Sequence, residues 1–103
     1  KSYISARLYY DLGYYKSAII ALRNSLIEYP DTRFREELMF LILKSSYLLA
    51  DKSIPDKQRE RFQTTLDEYY SFIGEFPEGP HSREARRIYE NSNEYLEEQN
   101  KSS

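Results

Sequence analysis

Between residues 15 and 29 the chain sets Tyr15, Ala18, Ile19, Leu22, Leu26 and Tyr29 at i, i+3, i+4, i+7, i+11 and i+14. At 3.6 residues per turn an α-helix gathers that spacing onto one face, and no strand pattern does so. Gly13 stands just ahead of the stripe and Pro30-Asp31-Thr32 closes it. A second stripe, Phe62, Leu66, Tyr69, Ile73 and Phe76, repeats the spacing and also runs into a proline, Pro77. The endings match as sequence: Leu26-Ile27-Glu28-Tyr29-Pro30-Asp31 recurs as Phe72-Ile73-Gly74-Glu75-Phe76-Pro77-Glu78. Two amphipathic helices that stop on the same aromatic–proline–acid step mark an internal repeat and predict stacked helical units.

The remaining segments complete a five-helix reading. Tyr3 to Leu12 is helical in composition, and the break at Gly13 is tight enough to make a helix–turn–helix. Residues 33–50 form the next helix, with Glu36 and Glu37 in its first turn, where acids suit the positive end of the helix dipole. Leu38, Leu41, Ile42 and Leu49 make one apolar face of that helix, and Met39, Leu43, Ser46 and Ala50 another. A helix apolar on two faces is expected to lie between neighbours. After a linker at Lys52-Ser53-Ile54, Ser53 and Asp56 resemble a capping box and Pro55 suits a first helical turn. Gly74 costs about 1 kcal/mol relative to alanine in a helix, and close packing is the expected reason for it. Pro77-Glu78-Gly79-Pro80 breaks the chain again. Ser82 is expected to cap a last helix with the stripe Ala85, Ile88, Tyr89, Ser92, Tyr95 and Leu96, fraying from Asn100 onward.

Gly13-x-Tyr15-x-x-Ala18-Ile19, followed by Leu22, Leu26 and Tyr29-Pro30-Asp31, resembles the second half of a tetratricopeptide (TPR) repeat, with Ala6 and Tyr9 at the small and large positions of its first helix. The step from Pro30 to Pro77 is 47 residues, longer than the 34 of a standard repeat. The long unit is similar to the C-terminal repeats of the BamD-type outer-membrane assembly lipoproteins, in the form found in Bacteroidetes. The similarity is carried by Tyr9-Tyr10-x-x-Gly13-x-Tyr15, Arg35-Glu36-Glu37-Leu38, Lys44-Ser45-Ser46-Tyr47-Leu48-Leu49-Ala50, Arg59-x-Arg61-Phe62 and Glu68-Tyr69-Tyr70-x-Phe72, and spans residues 3 to 96. It implies an all-α fold of TPR-like hairpins stacked as a short right-handed solenoid with a C-terminal capping helix. The expected divisions are a first hairpin over 1–30, a long second hairpin over 33–76 and a cap over 82–99, together one domain at the C-terminal part of a longer protein. The resemblance further implies a protein–protein scaffold at the periplasmic face of the bacterial outer membrane. Its partners would be the barrel-inserting assembly subunit and accessory lipoproteins, with any membrane contact through a lipid anchor outside this chain. Two other readings stay open: another periplasmic TPR adaptor, such as a Tol-Pal coordinator, or the helical part of a glycan-binding outer-membrane lipoprotein, although no tryptophan supplies a stacking platform.

Chemistry-bearing patterns are scarce. The chain has no cysteine and one histidine, His81, in a proline-rich turn, so thiolate sites and histidine pairs are ruled out. Glu36/Glu37 and Glu97/Glu98 are sequence neighbours that diverge by about 100° on a helix and do not make an acid–base pair. No glycine-rich phosphate loop occurs. An enzyme, a metal and a cofactor are therefore not expected. With a formal charge of −2, nucleic acid is not an expected partner either. The charge is uneven, with 11 basic and 8 acidic residues over 1–66 against 4 basic and 9 acidic over 67–103.

Binding candidates follow from what the stripes leave over. Of eleven tyrosines, Tyr9, Tyr15, Tyr29, Tyr47, Tyr69, Tyr89 and Tyr95 fall on apolar stripes and are expected in the core. Tyr10, Tyr14 and Tyr70 fall off them. Arg33, Arg35, Arg59 and Arg61, with Lys52 and Lys57, are expected to cluster at one end of the second hairpin. Tyrosine and arginine are favoured interface anchors, so Arg33, Arg35, Arg59, Arg61, Tyr70, Tyr10 and Tyr14 are the candidate partner-binding residues.

Overall fold

The computed structural model describes the backbone of residues 2–102 and the side chains of residues 5–101. The helices are α1 (Ser2–Asp11), α2 (Tyr15–Glu28), α3 (Arg35–Asp51), α4 (Pro55–Glu75) and α5 (Ser82–Ser102). No strand occurs among the described residues. Each helix packs on the next in the chain, α5 also reaches α3, and the array measures 45 × 28 × 19 Å.

The chain breaks have local causes. Gly13, at φ 84°, is the one described residue with left-handed backbone. Its N–H bonds the Tyr10 carbonyl at 3.0 Å, and the Tyr14 N–H reaches the Tyr9 carbonyl at 2.8 Å. That pair of bonds is a Schellman closure of α1, which glycine alone forms without Cβ strain. The two aromatic–proline steps share one geometry. Tyr29 and Phe76 both stand at φ −130°, ψ 69° and both donate N–H to the carbonyl four residues back, Ser25 and Phe72. The residue before a proline is excluded from helical backbone, so the same stop is made twice.

Several expectations about ends are corrected. α3 begins at Arg35 rather than Arg33, because the Phe34 N–H turns onto the Thr32 hydroxyl at 3.2 Å. The Ser53 capping box does not form. Ile54 precedes the helix, and the Ser53 hydroxyl donates back to the Leu49 carbonyl at 2.5 Å. Ser82 is the first helical residue rather than the cap, since the His81 carbonyl takes the N–H of Ala85. α5 extends through Ser102, beyond the end expected at residue 99, and residue 103 lies outside the described residues. Gly74 meets nothing: a Cβ added there would have no neighbour within 4 Å.

Two apolar clusters share α3. On one side Leu38, Leu41 and Ile42 meet Ala6 of α1 and Leu22 of α2. On the other, Phe40 and Leu43 meet Tyr69 and Phe72 of α4 and Ala85 and Ile88 of α5. Fully burying one such leucine or phenylalanine is worth about 1.5–3 kcal/mol, so the central helix anchors both halves. The two-faced pattern of α3 is thus satisfied by neighbours on both sides. Leu41 lies under α1 and α2, while α5 covers Phe40 and Leu43.

Ring contacts set the register. Phe40–Phe72 (5.9 Å) and Tyr47–Phe62 (6.1 Å) run α4 antiparallel to α3. Phe62–Tyr95 (4.5 Å) and Tyr69–Tyr89 (4.7 Å) run α5 antiparallel to α4. His81 stacks on Phe40 with ring centroids 4.3 Å apart, which gives the lone histidine a packing role at the start of α5. Ala6 and Ala18, both fully buried, mark the close contact of the first hairpin. The α3–α4 register carries Ser45 and Ser46 to the level of Thr65 in the second. All three are buried, and small residues at a crossing let helix backbones approach.

Candidate functional site

The structure redistributes the candidate residues. Arg33 and Arg35 stand at the start of α3, beside the end of α4, whereas Arg59 and Arg61 stand at the start of α4. Antiparallel packing therefore puts the two pairs at opposite ends of the hairpin, about 24 Å apart along α4. The expected single arginine cluster does not exist. Three of the four arginines are engaged within the chain. Arg59 bonds Asn100 of α5 at 2.9 Å, and Arg61 bonds the Ser53 hydroxyl at 2.6 Å. Arg35 gives Nε and Nη2 to the two Glu75 oxygens at 2.8 and 2.9 Å, and Nη1 to the Pro30 carbonyl at 2.9 Å. Arg33 is exposed and lies over the Phe34 ring at 5.0 Å.

The tyrosines also divide differently from the stripes. Tyr9 and Tyr29, expected in the core, are 39% and 57% exposed. Tyr29 is already outside α2, so the helical stripe no longer aims its ring inward, whereas Tyr9 lies within α1 on a side that the neighbouring helices leave partly uncovered. Tyr10, a binding candidate, is half-buried against the α1–α2–α3 cluster and edge-on to Tyr15 at 5.8 Å. Tyr14 and Tyr70 are exposed. Tyr70 leans on Tyr89 at 6.0 Å, and a hydrogen bond with Tyr89, its largest influence, raises its phenol above the ordinary range.

What the structure brings together is a recess of about 350 Å³ where α2 and α4 flank α3. Leu26, Met39 and Ile42 form its apolar floor, and Ile27 and Ser71 stand on opposite walls. Ion pairs bound its ends: Arg23 with Glu68 across α2 and α4, and Arg35 with Glu75 across α3 and α4. The two-point bond of Arg35 holds the Glu75 carboxyl below the usual carboxylate range and raises the Arg35 guanidinium in turn. Beyond that pair lies a broader, polar hollow of about 620 Å³ at the Pro30–Arg33 turn.

None of the recess residues except Arg35 was a sequence candidate. A signal was present, however. Ile20 and Ile27 lie seven residues apart on α2, off its buried stripe, and are 56% and 77% exposed. Apolar residues repeated at helical spacing on a face that should be polar point to a second contact surface. Glu68 and Glu75 belong to the acidic face of α4 and become part of a site only when that face meets α2 and α3.

Chemically, the recess offers contact and charge pairing. It has an apolar floor, two guanidinium–carboxylate pairs and one hydroxyl, Ser71. No group of three or more histidine, cysteine, aspartate or glutamate side chains able to hold a metal ion occurs among the described residues. No family model matches the chain, and no curated protein matches it.

Proposed function

We propose that this chain is a non-catalytic docking scaffold that presents the groove between α2 and α4 to protein partners. The observation that carries the reading is the groove itself: an open, partly apolar surface with Ile27 77% exposed. It is held between helices tied together by two apolar clusters and cross-helix ion pairs. Exposed apolar surface rimmed by charge is costly to keep in water and is typical of protein contact sites.

Within that reading we place the chain in the outer-membrane β-barrel assembly machinery, on its periplasmic face, as a TPR-like solenoid of the BamD type. Support comes from the resemblance of residues 3 to 96 and from the repeated stop at Tyr29-Pro30 and Phe76-Pro77. The partners are then the barrel-inserting subunit and accessory lipoproteins, and the role is to hold them in fixed relation without a chemical step.

The test is surface plasmon resonance of the chain against the periplasmic domains of a barrel-inserting subunit at two salt concentrations. Micromolar binding that weakens in Ile27→Asp is expected. No binding to these domains, with the fold intact by circular dichroism, removes the barrel-assembly assignment in favour of a different periplasmic partner. Binding that ignores Ile27→Asp moves the interface to the exposed Tyr14, Arg33 or Tyr70 surfaces.

A further inference from the structure

The two ion pairs that bound the groove are not equivalent, and their asymmetry specifies an occupant. In the Arg23–Glu68 pair the arginine side chain is 47% exposed and the glutamate 17%. The carboxylate is sunk and the cation stands out. Arg23 reaches Glu68 through Nη2, and its Nε and Nη1 make no hydrogen bond to another described residue. At the other end the order reverses. Glu75 is 43% exposed and Arg35 33%. Arg35 already commits Nε, Nη1 and Nη2 to Glu75 and the Pro30 carbonyl, whereas each Glu75 oxygen keeps a lone pair. The groove is therefore bipolar, with spare donors at the Arg23 end, spare acceptors at the Glu75 end and an apolar floor between.

The spacing matches a helix. Glu68 and Glu75 are seven residues apart on α4, about 10.5 Å of rise, and any helix laid alongside α4 has its own i and i+7 side chains at the same separation. α2 and α4 both pack against α3 and run antiparallel to it, so an occupant lying between them repeats the α3 arrangement by running antiparallel to both. Resting on the docking-scaffold reading, we infer that the groove takes an amphipathic helix of a partner protein with a basic residue at i, bulky apolar residues at i+3 and i+4, and an acidic residue at i+7. The base faces Glu75, the acid takes the free edge of Arg23, and the apolar pair covers Ile27 and Met39. Residues at these spacings share one helix face, so a single partner helix satisfies all three demands. An occupant with the charges reversed would set its acid against Glu75 and its base against Arg23.

The probe is a synthetic peptide of about 18 residues, long enough to hold helix, with lysine, leucine, phenylalanine and glutamate at i, i+3, i+4 and i+7 on an alanine–glutamine background. It is titrated into the 15N-labelled chain and followed by two-dimensional NMR. Saturable shifts confined to residues 23–27, 39–42 and 68–75 are expected, weakened roughly tenfold or more by Arg23→Gln or by Ile27→Asp, each with its helix content verified by circular dichroism. Exchanging lysine and glutamate in the peptide should weaken binding comparably. No saturation below roughly 1 mM, shifts centred elsewhere, or equal binding of the charge-exchanged peptide overturns the inference. Because the peptide carries no sequence from any assembly subunit, its binding stands even if the barrel-subunit measurement fails. Failure of the peptide beside successful subunit binding removes only the helix-in-groove assignment.

Discussion

The Arg35 guanidinium grips the Glu75 carboxylate through two hydrogen bonds, 2.8 Å from Nε and 2.9 Å from Nη2, and so ties the first turn of α3 to the last turn of α4. A third bond, from Nη1 to the Pro30 carbonyl, extends the tie to the turn that ends α2. One side chain thus holds three helix ends together at the margin of the groove.

Arg35→Ala should lower stability by about 1 kcal/mol, the upper range for a partly exposed pair with two-point geometry. The pair also sets a pH dependence. The Glu75 pKa is depressed in the folded chain, chiefly by the Arg35 hydrogen bonds. Its contribution is therefore fully present above the unfolded glutamate value of about 4.3 and is lost as pH falls through the lower folded value. Urea midpoints measured from pH 6 downward should fall less in Glu75→Gln than in the wild type over that window.

A chain ending at Pro80 should aggregate. α5 covers Phe40, Leu43, Tyr69 and Phe72 with Ala85 and Ile88, and it is tied on by Lys44–Glu84 at 2.8 Å and Arg59–Asn100 at 2.9 Å. Terminal units of stacked-helix arrays keep a polar outer face to cover apolar surface. Size-exclusion chromatography with light scattering would detect the aggregate. A monomeric truncated chain with an unchanged melting temperature would show that α5 is not a cap.

Two glycines should respond in opposite directions to alanine. At Gly13 the φ of 84° strains any L side chain although the space is open, so Gly13→Ala should cost about 1–2 kcal/mol, all of it backbone. Gly74 sits in the last turn of α4 with open space and ordinary φ. Gly74→Ala should stabilise by about 0.5 kcal/mol through reduced freedom of the unfolded chain. Chemical denaturation of the two variants side by side measures both.

Ser92→Ala should stabilise the protein. Ser92 is fully buried on the face of α5 that meets α4, and its hydroxyl has no hydrogen-bond partner among the described residues. An unsatisfied buried polar group costs about 1–3 kcal/mol, part of which returns when alanine fills the same space. A gain of about 1 kcal/mol corresponds to a melting shift of roughly 4–8 °C for a domain this size, which calorimetry resolves. A loss of stability would show that the hydroxyl is satisfied and that alanine removes a favourable hydrogen bond.

Local physics determined the elements of this protein, and those were legible in the sequence. The stripes from Tyr15 to Tyr29 and from Phe62 to Phe76 state the period of a helix within a few residues. Gly13 carries a backbone conformation that other residues avoid, and Pro30 and Pro77 constrain the residue before them wherever the chain goes. The double apolar face of α3 likewise announced a helix packed on both sides. Only the tertiary structure decided which charges and rings meet. Arg23 and Glu68 are 45 residues apart in sequence and Arg35 and Glu75 are 40 apart. Those pairings depend on the register of one helix against another, which no local window contains. The same register separated Arg33 and Arg35 from Arg59 and Arg61, because antiparallel helices send the two beginnings to opposite ends. Tyr29 misled for the converse reason: it keeps the spacing of the α2 stripe, but the proline after it turns the backbone out of the helix, so the ring no longer follows the face.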